Sequence, residues 1–341
     1  MCTIVELPNI YGTPAGVPRE LRDGRSRPAV LIISPVRNEA SHIERVVRAV
    51  AAQELRPARW IIIDDDSQDD TLEILRVLER EFCFLDVVSA GPHAGEENGD
   101  RLARALEAVN FNRGLALADR LAYTHIMKLD GDIELPPDHL ARMMERFAAD
   151  PRLGIAGCVL DEPLPDGGRR RVGIPAHHVH GAVKCYSRAC FQAIGGIRET
   201  LGWDTIDETY ARMRGFETRT FRDVVSIHHR PIGSADGTLR GHARHGQCAY
   251  IVHYTPAWVV LRSAKVVTRR PRLLSGAAFL YGYVRAAGRH TERVPDVEFR
   301  RFTRRELRLR ILRAPLRLAW GSRSRTGVAP GSAGPGTSCG S

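Results

Sequence analysis

The feature that most constrains the fold is a repeated alternation of short apolar runs with amphipathic segments. Residues 29–34 (AVLIIS), 60–63 (WIII), 85–89 (LDVVS), 123–129 (YTHIMKL) and 154–160 (GIAGCVL) read as buried strands. Between the first two, Ile43, Val46, Val47 and Val50 follow the i, i+3, i+4, i+7 spacing of a helix face, and Ser41-x-x-Glu44 predicts a capping box ahead of it. Ile74, Leu75, Leu78 and Phe82 mark a second helix, residues 101–118 a third, and Leu140, Met143, Met144 and Phe147 a fourth. Parallel strands need crossover connections and bury both faces, so this pattern predicts an α/β chain with a mostly parallel sheet and helices on both faces.

Length and composition set the limits. A chain of 341 residues, at ~150 residues per domain, suggests two domains or one with an appendage. With 43% hydrophobic and 26% charged residues, disorder throughout is excluded. Residues 273–284, the longest apolar run, number 12 before Arg285, short of the ~20 that span a bilayer. The N-terminus has no basic start followed by an apolar core, so no secretory signal is expected. Seven cysteines without a C-x-x-C pair read as reduced thiols in a cytoplasmic setting.

The expected organisation is a flexible lead-in over 1–27, an α/β domain over 28–232, a basic, partly apolar extension over 233–320, and a disordered Gly/Ser/Pro tail over 321–341. The net charge of +10 is concentrated late in the chain: residues 262–325 hold 18 Lys+Arg against 4 Asp+Glu. Arginine supplies nearly all of it, since only Lys128, Lys184 and Lys265 are lysines. Phe302, Thr303, Glu306 and Leu307 predict a staple and capping box opening an arginine-rich helix, which Pro315 would kink or end.

Three polar clusters each follow a predicted strand: residues 35–39 (PVRNE), 64–67 (DDDS) and 130–132 (DGD). In an open parallel sheet ligands bind at the carboxyl ends of the strands, so all three would line one crevice. Asp130 and Asp132 would leave an extended segment on the same side, and Gly131 between them would permit close approach. Two hard carboxylates with open positions suit Mg2+ or Mn2+ held jointly with a diphosphate; the alternative is a solvated Asp-Gly-Asp turn. Asp69, Asp70 and Thr71 can serve as helix N-terminal residues. No G-x-x-x-x-G-K-[ST], G-x-G-x-x-G or H-E-x-x-H is present.

PVRNEA, IIIDDDSQDDT, KLDGD and the later QAIGG and GWDTIDE, in that order, resemble the signatures of family 2 glycosyltransferases with the GT-A fold, over roughly residues 29–231. The resemblance implies a GT-A type, Rossmann-like fold, to which the charge pattern adds a basic C-terminal helical extension. It also implies an inverting enzyme that uses a nucleotide-diphosphate sugar and a divalent metal, Mg2+ or Mn2+. By that resemblance Pro35, Arg37, Glu39, Ile63 and Asp65 hold the nucleotide, and Asp130, Gly131 and Asp132 hold ribose, metal and diphosphate. Arg37 stands where a tyrosine is frequent, and Asp66 where a glycine is. The general base would be an acid after Gly195-Gly196: Asp207 or Glu208, with Asp204 third, while helix capping is the alternative role for such acids. His228 and His229 are candidates for a metal or phosphate role, or a surface pair.

The expected acceptor is a glycan or lipid-linked molecule in cell-surface polysaccharide or glycolipid synthesis, a polyprenyl phosphate being the alternative. The cations and short apolar runs of the C-terminal region predict contact with an anionic membrane, on the inner face of the cell membrane. No nucleic-acid partner is expected, as aromatic residues are 6% and no recognition motif is present. A reading of another class is a glycan- or nucleotide-binding protein with a degenerate GT-A domain, against which both Asp130 and Asp132 are retained.

Overall fold

The computed structural model describes residues 28–91, 104–118, 121–164, 166–230, 237–267 and 273–321. The expected lead-in, nearly all of the tail and the first three residues of the third predicted helix lie outside these.

The elements run β1 (Val30–Val36), α1 (Ile43–Ala51), β2 (Arg59–Asp64), α2 (Thr71–Glu81), β3 (Leu85–Ser89), α3 (Leu106–Leu117), β4 (His125–Leu129), β5 (Ile133–Glu134) and α4 (His139–Ala149). They continue β6 (Leu153–Pro163), β7 (Arg169–Arg171), β8 (Val183–Ser187), α5 (Arg188–Ile194), α6 (Trp203–Met213), β9 (Glu217–His228), α7 (Thr238–Ile251), α8 (Pro256–Val267), α9 (Leu274–Gly288) and α10 (Val297–Gly321). Every strand expected from the apolar runs is present. They form one sheet in the order β3-β2-β1-β4-β8-β6-β9-β5, with β7 on β6. The pairs β3–β2, β2–β1, β1–β4 and β6–β9 are parallel, while β8 runs antiparallel to both of its neighbours.

Successive residues of a strand point to opposite faces, and β1 has apolar residues at both parities. Val30 and Ile32 pack with Val46, Val47, Leu75 and Met143 of α1, α2 and α4. Leu31 and Ile33 pack on the other face with Phe111 of α3, Phe191 of α5 and Ile206 of α6. Each such side chain, fully buried, contributes about 1.5–3 kcal/mol. A Cβ on Gly114 would lie 2.7 Å from Ile33 Cγ2, so α3 can sit this close to the sheet only with glycine there.

Three local expectations are corrected. Ser41 does not cap α1: the cap is His42, without a side-chain bond, because the Glu39 carbonyl already accepts the N–H groups of His42 and Ile43 at 2.8 Å each. Glu44 instead pairs with Arg48 at 3.0 Å. The helix expected to open at Thr303 begins at Val297, where Asp296 Oδ1 accepts the N–H groups of Glu298 and Phe299 at 2.7 and 3.1 Å. It also continues through Pro315. The C-terminal extension packs on the α/β core: Phe299 joins the same apolar cluster as β1, and Arg212 Nε of α6 meets Glu306 Oε1 of α10 at 2.9 Å.

Candidate active site

The β1–β2 register sets Val36 beside Asp64, so both chains leave the sheet at one level. There they are stitched together. Asp65 N–H donates to the Val36 carbonyl at 2.8 Å, and Arg37 Nη1 donates to the Asp65 carbonyl at 2.6 Å. Asn38, in the left-handed region at φ 53°, donates its N–H to Ser67 Oγ at 3.0 Å and accepts the Gln68 N–H at 2.8 Å. Glu39 N–H donates to Thr71 Oγ1 at 2.7 Å. Asp64 Oδ1 is buried and accepts no hydrogen bond from the described residues. Ile63 lies wholly in the core, so only its backbone faces this end of the sheet.

The Asp-Gly-Asp segment is a turn, not an extended stretch: the Ile133 N–H returns to the Asp130 carbonyl at 3.3 Å. Its two carboxylates accordingly find different partners. Asp130 pairs with the fully buried Lys128, which also holds Glu107 of α3. Asp132 meets His228 Nε2 at 3.4 Å and Arg230 Nε at 4.0 Å. Arg230 then bridges to Glu39 Oε2 at 2.7 Å, tying the first cluster to the third. A Cβ on Gly131 would lie 2.9 Å from Val36 and 3.0 Å from Glu39 side-chain carbons, so the space that glycine leaves open is taken by the β1 loop.

Burial governs the charges. It raises Glu39 to about 8, with Asp132 adding to the shift against Arg230. Burial would also raise Asp132, but the hydrogen bond and charge of His228, then Arg230, outweigh it and hold the carboxyl below its ordinary range. His228 lies at the end of β9, where pairing with Ile133 of β5 brings it beside Asp132; its Nδ1 is buried without a partner among the described residues. His229 turns aside to Glu134 at 2.8 Å.

On the other side of β4 lies α6. Asp207 and Glu208 are 2% exposed and face Lys184 of β8, whose Nζ is 3.2 Å from Asp207 Oδ1 and from Glu208 Oε1. The Tyr186 hydroxyl donates to Asp207, and the Val179 N–H to Glu208 at 2.7 Å. His178 Nδ1 is 3.0 Å and Arg212 Nη1 3.7 Å from Glu208. Burial pushes Asp207 up to about 7; for Glu208, Lys184 and His178 overcome burial and hold it low. Asp204, one turn nearer the N-terminus of α6, is half-buried and has no side-chain hydrogen bond or ion pair among the described residues. Lys184 Nζ donates to its backbone carbonyl at 2.7 Å.

Sequence reasoning missed Lys128 and Lys184. They are direct partners across the β4–β8 ladder, and each Nζ lies over the Trp203 ring, 5.5 and 5.4 Å from its centroid. A lysine inside each apolar strand was the available signal.

The sheet, in this strand order and with helices on both faces, has a fold similar to that of GT-A glycosyltransferases. A mannosyltransferase from Pyrobaculum calidifontis, solved with GDP-Man and Mn2+, shares that fold at a TM-score of 0.50 and 19% identity, over 88% of this chain and 89% of that one. Residues 31–90 match the family model for glycosyl transferase family 2. An undecaprenyl-phosphate 4-deoxy-4-formamido-L-arabinose transferase of Pseudomonas paraeruginosa is 24% identical over 186 residues, 50% of either chain. A poly-beta-1,6-N-acetyl-D-glucosamine synthase of Staphylococcus aureus is 32% identical over 119 residues, 34% of this chain and 25% of that one. The chain thus spans half or less of these curated relatives. The family 2 match over residues 31–90 contains the first two of the motifs on which the resemblance rests, PVRNEA and IIIDDDSQDDT.

Proposed function

We propose that the chain is a metal-dependent inverting glycosyltransferase that moves a sugar from a nucleotide-diphosphate donor to a glycan or lipid-linked acceptor. The observation that carries this reading is Arg230, which joins Glu39 of the first loop to Asp132 of the acidic turn and so gathers the motif residues at one end of the sheet. Pro35, Arg37, Glu39 and Asp65, with the backbone at Ile63, form the nucleotide side. The unpartnered Asp64 oxygen is an acceptor for a donor group of the ligand.

The residues fit a divalent ion. Asp130 and Asp132 offer hard oxygens, and His228 holds Asp132 in its ionised form. Among the described residues no three such groups already surround one point, so diphosphate oxygens and water would complete the shell. The ion would neutralise charge on the leaving diphosphate.

For the base we favour Asp204 over Asp207 and Glu208. A general base must reach the acceptor hydroxyl. Asp207 and Glu208 are closed in by Lys184, Tyr186 and His178, whereas Asp204 is half-buried with an unengaged carboxylate. Lys184 steadies the Asp204 backbone, so it is a positioning residue.

Thermal-shift titration with nucleotides and nucleotide sugars, with and without Mn2+, tests the donor side, because a ligand that binds only the folded state raises its stability. The expected result is a metal-dependent shift with one donor class, lost in Asp132→Asn. The same shift with and without metal, in parent and variant alike, would remove the metal from the proposal.

A further inference from the structure

Two neighbouring helices beyond the catalytic sheet break the usual rule for a surface. On α9, Leu274, Ala277, Leu280, Tyr281 and Val284 recur at helical spacing, Leu273 precedes them at the N-cap, and all are exposed, Tyr281 and Val284 by 60% and 59%. On α8, Val260 and Leu261 are 61% and 52% exposed. Soluble surfaces seldom leave so many large apolar side chains together, and such a patch marks an interaction site. Among the described residues no helix is long and apolar enough to cross a membrane.

The charge carried by this stretch of the chain is of one sign. Residues 237–291 contain no Asp or Glu and nine Lys or Arg. Of these, Arg262, Arg285 and Arg289 are exposed on or beside the two helices. Exposed apolar side chains beside arginines, on a segment without acids, complement an anionic lipid surface, into which a helix lies with its apolar face at the acyl boundary.

The patch is also rigidly tied to the site. A Cβ on Gly246 of α7 would lie 1.9 Å from the Phe279 carbonyl, and one on Gly282 of α9 would lie 1.8 Å from the Ala243 carbonyl, so the two backbones touch. Ser263 of α8 donates to the Gly276 carbonyl at 2.9 Å. A Cβ on Gly202, two residues before Asp204, would in turn lie 3.4 Å from Cys248 Cβ of α7.

We infer that the exposed faces of α8 and α9 seat the protein on an anionic phospholipid bilayer, with α7 linking that seat to the acceptor side of the site. The inference deepens the proposed function by making the acceptor one that is presented at a membrane. The arginines of α10 become an accessory to an apolar seat.

The test is co-sedimentation of the full chain with phosphatidylcholine vesicles, with and without phosphatidylglycerol, beside the triple variant Leu280→Asp, Tyr281→Asp, Val284→Asp. The expected results are binding to the anionic vesicles, weakening with salt, and a loss of about tenfold or more in partitioning in the variant. The donor-induced thermal shift should survive in the variant, which separates this inference from the donor reading. Parent protein left in the supernatant at low salt overturns it. So does a variant that binds as the parent does, since charge alone then suffices. A parent that sediments as a stable dimer and a variant that is monomeric would also overturn it, by assigning the face to a second copy.

Discussion

The two sides of the candidate site are built with one device and finished differently. Lys128 on β4 and Lys184 on β8 are opposite each other in the ladder, both fully buried and both over Trp203. Lys128 holds Asp130 and Glu107, whose side chains remain 29% and 31% exposed. Lys184 holds Asp207 and Glu208, whose side chains are 1% and 3% exposed. An ion pair open to the crevice leaves its carboxylate able to meet a ligand. A closed one is committed to holding its helix. Acid residues of similar sequence context thus divide into those that can do chemistry and those that place the chemistry.

The largest expected effect is on the closed pair. Lys184→Met strands two buried carboxylates, and breaking such a pair costs about 3–5 kcal/mol. Denaturant unfolding should show that loss, and a smaller one for Lys128→Met, because water reaches Asp130 and Glu107. Equal losses would mean that the two sides do not differ as described.

A control outside both pairs comes next. His139 is buried on the sheet face opposite α6, and burial lowers it to about 4 from 6.5. The unfolded chain therefore binds a proton that the folded one refuses, so this stability is complete above pH 6.5 and is lost as pH falls toward 4. Its full size is about 3 kcal/mol. His139→Leu should flatten the stability slope between pH 6.5 and 4, with no change in the metal dependence of donor binding. An unchanged slope would place the titration elsewhere.

Gly131→Ala is expected to cost about 1–3 kcal/mol, as overpacking does. The new methyl meets Val36 and the base of Glu39, so donor binding should weaken along with stability. Unaltered donor affinity would show that the first loop and the acidic turn are not coupled through this contact.

Much of the fold was legible because its signals are local. Alternating runs marked the strands, and the polar residues directly after them marked three loops that the β1–β2 register and the Arg230 bridge bring together. What was hidden is long-range. Arg230 reaches Glu39 across 191 residues, and no periodicity foretells it. The capping boxes failed because the Glu39 carbonyl and the Asp296 side chain had already satisfied the first N–H groups. Asp204, Asp207 and Glu208 share one helix face by their spacing. Spacing could not rank them; depth does, and depth belongs to the packed molecule.

The sharpest measurement compares Asp204→Asn with Asp207→Asn in single-turnover transfer, using the donor found by thermal shift. Asp204→Asn should change stability by less than about 0.5 kcal/mol, as at a half-buried group without a side-chain partner among the described residues, and keep donor binding. Its turnover should fall by about 10²–10⁴-fold, the size of general-base loss. Asp207→Asn should instead lose stability first, with transfer falling only as the folded fraction falls. Full transfer by Asp204→Asn, beside a stably folded Asp207→Asn that binds donor and cannot transfer, would contradict the division between the open and the closed acids.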